Sequence, residues 1–315
     1  MAQEVVPWGA GLERKWGSGL VQDKARGRYA LPVVAVGVLA VSAAAIFIRL
    51  AEAPAIAIAF WRCVLGAAVL VPPALIRGDA FPGGRALYFG IASGVALGAH
   101  FGFWISSLDY TSVAASVVLV STQPVFVAML AYLLFGERTS PLSFLGIVVA
   151  IAGTAVIAFD RTVGSAAILG NVLALVGAVT VAVYVLIGRS SRTGGVGVLP
   201  YSIVVYTAAA ATLLPVALVF GVRLWGYPGE TWFWLAAITA GPQLMGHTVF
   251  NWSLRYVEAS IVSGTILAEP VVAALLAWLL LSEKPGLLTV LGGTIVLAGL
   301  YLLLKGRPVV AEPVS

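Results

Sequence analysis

Residues 108–138 read LDYTSVAASVVLVSTQPVFVAMLAYLLFGER, and residues 254–284 read LRYVEASIVSGTILAEPVVAALLAWLLLSEK. Laid over each other, the two stretches match at one offset, 146 residues. Leu108-Asp-Tyr110 falls on Leu254-Arg-Tyr256, Gln123-Pro124 on Glu269-Pro270, and Glu137-Arg138 on Glu283-Lys284. The register continues downstream, with Gly146 on Gly292 and Gly153 on Gly299. Isolated coincidences are common between apolar segments, but one offset held across two helices and their loops indicates an internal repeat.

The repeated unit is built for lipid. Of 315 residues, 61% are hydrophobic and only 10% are charged, and the mean hydropathy is +1.03. Soluble domains carry about 25% charged residues. Nine Trp, ten Tyr and 35 Gly suit interfacial aromatic belts and close helix packing. The single cysteine, Cys63, excludes an intramolecular disulfide and a cysteine-rich metal site. A net charge of +5 does not mark a nucleic-acid binder, because the 18 Lys and Arg lie scattered in short loops.

A membrane span needs roughly 20 mostly apolar residues. Read from charge to charge, the chain offers ten: 31–48, 53–76, 86–108, 113–135, 142–159, 166–188, 199–222, 231–254, 259–282 and 287–304. Short connections containing Pro or Gly, such as Pro82-Gly83-Gly84 and Pro228-Gly229, leave no room for a soluble domain. The first thirty residues lack the apolar core of a cleavable signal peptide. The expected organisation is a tail over 1–28, a five-helix unit over 29–160, a second over 161–304, and a tail over 305–315. With both termini cytoplasmic, thirteen basic residues fall inside: Arg14, Lys15, Lys24, Arg26, Arg28, Arg77, Arg85, Arg138, Arg189, Arg192, Arg255, Lys305 and Arg307. Only Arg49, Arg161, Arg223 and Lys284 fall outside, as the positive-inside rule asks.

An odd number of spans per repeat makes the second copy enter the bilayer from the opposite side. The fold expected is therefore an all-α integral membrane protein of ten transmembrane helices, two inverted five-helix repeats around a central cavity. Inverted repeats place a solute site between the halves near the midplane. Phe60-Trp61-Arg62, Pro124 with Glu137-Arg138, and Glu269-Pro270 with Glu283-Lys284 resemble the paired repeats of the EamA-type drug/metabolite transporter superfamily, over about residues 30–305. The His- and Trp-containing third and eighth spans look most like the YddG-type aromatic amino-acid exporters. The resemblance implies a ten-helix basket, secondary transport without ATP, and a bacterial inner-membrane location. No phosphate-binding Gly-x-x-x-x-Gly-Lys-Ser/Thr motif occurs in the chain.

Polar groups in hydrocarbon need a partner or a wet cavity. Gln243, His247 and Asn251 follow at i, i+4 and i+8 and share a face of span eight. That stripe lines a cavity or fastens helices together. His100, Phe103, Trp104 and Ser107 follow at similar spacing in span three, where His100 can bind the polar end of a zwitterion and the aromatics can wall its side chain. Tyr184, Tyr206 and Trp61 are further cavity candidates, and Asn171 reads as a helix-end hydrogen bonder. Glu269 is the only carboxylate near the middle of a span. It serves proton coupling, a substrate ammonium, or a broken-helix joint with Pro270. Its repeat mate Gln123, beside Pro124, shows that the position accepts a neutral polar group. Arg62 snorkels, pairs, or meets a substrate carboxylate, and the resemblance implies a structural charge there. Gly146, Gly153, Gly292, Gly293 and Gly299 read as a packing seam within the bundle or a dimer seam.

With two histidines and no nearby carboxylate, neither a metal nor another cofactor is expected, and no recognisable catalytic arrangement suggests an enzyme. The expected partners are a small-molecule substrate and the bilayer, with a monomer or a homodimer as the assembly. The expected function is export of small amphipathic metabolites, aromatic or other apolar amino acids, by alternating access. An uncoupled facilitator and a multidrug or cation exporter are the alternatives on the same scaffold, and an enzyme of lipid-linked substrates is the outlier.

Overall fold

The computed structural model describes residues 33–34, 36–135, 140–158, 166–193, 195–253 and 269–306. Every regular element among them is helical. Helical turns over 36–42 lead into α1 (Ala44–Leu50), followed by α2 (Ala55–Ile76), α3 (Gly84–Ser107), α4 (Val113–Val120), α5 (Gln123–Phe135) and α6 (Pro141–Ala158). The second half holds α7 (Ala167–Thr193), α8 (Val198–Val219) and α9 (Gly229–Ile238). A π-helical segment (Thr239–Thr248) joins α9 to α10 (Val249–Ser253), and α11 (Glu269–Leu281) and α12 (Leu287–Lys305) close the chain. Five segments, starting at Ala55, Gly84, Val113, Ala167 and Val198, are long and apolar enough to cross a membrane.

Span four is interrupted where the sequence places Gln-Pro. α4 starts on the Ser112 hydroxyl, which accepts the Ala115 N–H at 3.1 Å, and stops at a turn over Ser121-Thr122. Thr122 Oγ1 donates to the Leu119 carbonyl at 2.6 Å, taking up one of the acceptors the break releases. Pro124 then lies in the first turn of α5, where its missing N–H leaves no intrahelical gap. In span nine the described residues begin with Glu269-Pro270, the first two of α11. α5 and α11 are each 13 residues long, and their first and last residues differ by the same 146.

The glycine seam packs two helices from different halves. α6 lies along α12, with Gly146 facing Gly299 and Gly153 facing Gly292, so the two run antiparallel. A Cβ at Gly146 would stand 2.5 Å from the Gly299 carbonyl oxygen, and one at Gly299 2.7 Å from that of Gly146. Gly153 and Gly292 are likewise each 2.7 Å from the other's carbonyl oxygen. Backbones this close admit no side chain. Shifted by 146, the pair 146–299 becomes the pair 292–153, so the contact maps onto itself.

The outward surface is apolar, with Ile76 86%, Val219 80% and Leu279 75% exposed. An exposed apolar surface of this extent suits acyl chains as solvent. The interior is continuous instead, gathering buried residues of α1 to α4, α7 to α9 and α11 into one core. Glu137, Arg138, Leu254-Arg255-Tyr256 and the terminal tails lie outside the described residues.

Candidate functional site

A cavity opens at the first turns of α5 and α11. Its wall takes Arg62 from α2, His100 and Trp104 from α3, Ser121 and Gln123 from the span-four break, Tyr184 from α7, Pro242, His247, Phe250 and Asn251 from span eight, and Glu269 from α11. Val41 and Ala44 of span one and Val181 and Val185 of α7 complete it with apolar surface. About 70 Å3 is open to the centres of water-sized molecules, room for roughly five waters. Gln123 lies ten residues after Val113, or about 15 Å along a helix axis, which is half the hydrocarbon thickness. The polar groups are therefore deep.

On α3, His100 and Trp104 are stacked, with centroids 5.7 Å apart and planes at 4°. His100 Nδ1–H donates to the Gly177 carbonyl at 2.9 Å. In a neutral ring this leaves Nε2 as an acceptor. The His247 ring stands edge-on to Phe101 at 5.1 Å and 6.4 Å from His100. Tyr184 OH donates to Asn251 Oδ1 at 2.7 Å, joining α7 to α10.

Arg62 is completely buried. Its Nε donates to Gln243 Oε1 at 2.8 Å, and its guanidinium carbon lies 3.8 Å over the Phe101 ring. The π winding positions that partner. Pro242 lies within this segment and brings no N–H to it, and the Gln243 carbonyl accepts Tyr206 OH at 3.2 Å and Thr248 Oγ1 at 3.3 Å.

Several expected residues take other places. Gln243 shares the buried face with His247 and Asn251 but stands behind Arg62, fastening it, and Tyr206 stands behind Gln243. Phe103 is 39% exposed and turned away from the cavity. At about 100° per residue, Trp104 falls roughly 40° to one side of His100 and Phe103 about 60° to the other. Trp61, one position from Arg62, points elsewhere: its Nε1–H donates to the Leu224 carbonyl at 2.7 Å, and its ring packs edge-on against Trp225 and Trp232. Pro124 follows the span-four break, and neither it nor Pro270 reaches the wall. Ser107 bonds Ser116 across to α4 at 2.6 Å, and Asn171 accepts the Thr111 hydroxyl at 2.9 Å. Phe250 and Ser121 were not singled out in the sequence. The only signals were Phe250's i+3 relation to His247 and Ser121's place just before Gln-Pro.

At one end of the bundle, above the cavity, Arg49 Nη2 lies 3.8 Å from Glu283 Oε2 and donates to the Thr111 carbonyl at 3.2 Å. The other Glu283 oxygen accepts the Val113 N–H at 2.6 Å. The end of α11 is thereby tied to the start of α4 and the end of α1.

Apolar helices around a buried polar cavity, one span broken at its edge, define a membrane protein that passes small molecules. The sequence pattern of the EamA-like transporter family matches residues 28–159 and again 168–305, so the chain belongs to that family of integral membrane transporters of small molecules. A solved crystal structure of another protein superposes with a TM-score of 0.65 at 20% identity, over 89% of this chain and 99% of that one, which supports the fold alone. No curated protein sequence matches the chain.

Proposed function

We propose that the chain is a secondary exporter of small amphipathic metabolites, aromatic or other apolar amino acids, working by alternating access with the specificity of the YddG-type exporters. One observation carries the carrier reading. Gln123 and Glu269, repeat mates that each precede a proline, line one cavity, and span four is broken just before Gln123. Half-helices ending at a midplane site are a transporter device. The reading takes ten spans as two inverted five-helix repeats, both termini in the cytoplasm of a bacterial inner membrane, and one chain as the working unit. The self-mapping contact between α6 and α12 favours a two-fold axis in the membrane plane. The two halves would rock at the Pro124 and Pro270 breaks, with the Arg49–Glu283 contact closing one side. Trp104, Phe250 and Tyr184 would hold the substrate side chain, and His100, His247 and Asn251 its polar end.

Expression in a host sensitive to toxic amino-acid analogues tests this reading. Resistance to apolar and aromatic analogues, with trans-stimulated efflux of the parent amino acids, is the expected result. Resistance confined to toxic organic cations would replace it with multidrug export through Glu269.

A further inference from the structure

We propose that Arg62 anchors the carboxylate of the transported solute, a reading that rests on the carrier function above and gives it chemical detail. A guanidinium carries five N–H donors. In Arg62 one is spent on Gln243, while Nη1 and Nη2 are buried and meet no acceptor. The ion pairs among the described residues join Arg49 to Glu283 and Arg77 to Asp79, so no described carboxylate neutralises it. Glu269 lines the same cavity yet lies beyond ion-pair distance. A buried cation without a counter-charge is unstable unless something completes it.

A purely structural arginine would spend its Nη donors on nearby carbonyls. Here Tyr206 and Thr248 hold the Gln243 carbonyl, and the two Nη groups are left over. The group is also held in orientation. Phe101 lies under its plane, Gln243 fixes Nε, and Gly66 makes room for Gln243, whose Cγ would stand 3.0 Å from a Cβ there. A guanidinium fixed along its Nε edge presents the paired Nη atoms as a fork, the geometry that takes two carboxylate oxygens at once. Trp104 Nε1, a second donor without a partner, belongs to the same wall. Acceptors for an ammonium, Gln123 Oε1 and the Glu269 carboxyl, come from the half-helices. Donors on spans two and three and acceptors on spans four and nine match the two ends of a zwitterion.

The test uses the full chain in proteoliposomes, with counterflow of labelled phenylalanine competed by unlabelled phenylalanine, its amide, phenethylamine and 3-phenylpropionate. Phenylalanine and 3-phenylpropionate are expected to compete, and the two solutes without a carboxylate to compete about tenfold to a hundredfold more weakly. Arg62→Gln is expected to erase that preference. Because loss of Arg62 can also damage folding, Gln243→Glu supplies a second arm: it places a carboxylate on Nε while Arg62 stays over Phe101. That variant should keep its thermal stability and lose the preference for acids. An amide that competes as well as the acid overturns the proposal, and so does undiminished acid preference in either folded variant. If no phenyl solute moves, the amino-acid reading falls and thermal shift decides Arg62 separately. Stabilisation by other monocarboxylates, absent in Arg62→Gln, would sustain the anchor, and no shift with any carboxylate would overturn it.

Discussion

Arg49 and Glu283, at the far ends of the first and ninth spans, meet at 3.8 Å, and Glu283 at the same time accepts the first N–H of α4 at 2.6 Å. One carboxylate thus serves an ion pair and a helix start. Both side chains keep some water, so the ion pair itself contributes about 0–1 kcal/mol. The bond to the helix N-terminus contributes roughly 0.5–2 kcal/mol. Glu283→Ala should lower the melting temperature in detergent and raise the accessibility of cavity residues to reagents added from that side. Glu283→Gln, which keeps an acceptor for Val113, should show a smaller effect. Raising the salt concentration should weaken the parent and leave Glu283→Gln nearly unchanged.

The glycine seam predicts matched defects. Gly146→Ala and Gly292→Ala, repeat mates, should each destabilise the protein by about 1–3 kcal/mol, because the new methyl meets backbone that cannot yield. Thermal melts would check this. A neutral result at either position would contradict the close approach described here.

Neighbouring aromatics should separate cleanly. Phe103→Ala alters a lipid-facing residue and should change stability by no more than about 0.5 kcal/mol, with substrate affinity unaltered. Trp104→Ala should raise the apparent KM and destabilise by about 3–5 kcal/mol, because it removes the stacking partner of His100. Trp61→Phe removes only the hydrogen bond to Leu224 and should cost about 0.5–1.5 kcal/mol with transport intact.

Glu269→Gln gives the two half-helices identical first residues. The variant should fold and retain counterflow, since Gln123 already serves in the equivalent position. Uphill accumulation driven by a pH gradient would be lost if the Glu269 proton is the coupled one. Unchanged accumulation would confine Glu269 to a joint of the broken helix.

Much of this was legible in the chain. The offset of 146 placed Gln123 and Glu269 in equivalent positions, and the Gln-Pro dipeptide marked where span four breaks, because proline removes a bond that an α-helix needs. Glycine spacing marked a seam within the bundle or between copies, and the structure pairs α6 with α12 along it. The wall of the cavity was harder to read. A helical spacing ranks faces only while the winding is regular, and the π-segment at 239–248 departs from it around Gln243. Phe103 was misplaced for another reason: α3 winds regularly, but Phe103 falls about 60° from His100 on the side away from the cavity. Nor does a sequence show that Gln243 reaches Arg62, 181 positions earlier. That pairing depends on how spans two and eight pack.

The self-mapping seam bears on how such a chain assembles. A surface that fits its shifted copy also fits a second molecule of the same half, so each half alone carries the means to pair with itself. Covalent linkage replaces that encounter with an intramolecular one, at an effective concentration that no pair of free halves would reach in a membrane. The symmetry does not extend to the cavity: Gln123 and Glu269 line it from equivalent places with different side chains. The seam keeps the symmetry of a dimer, and the cavity has been released from it.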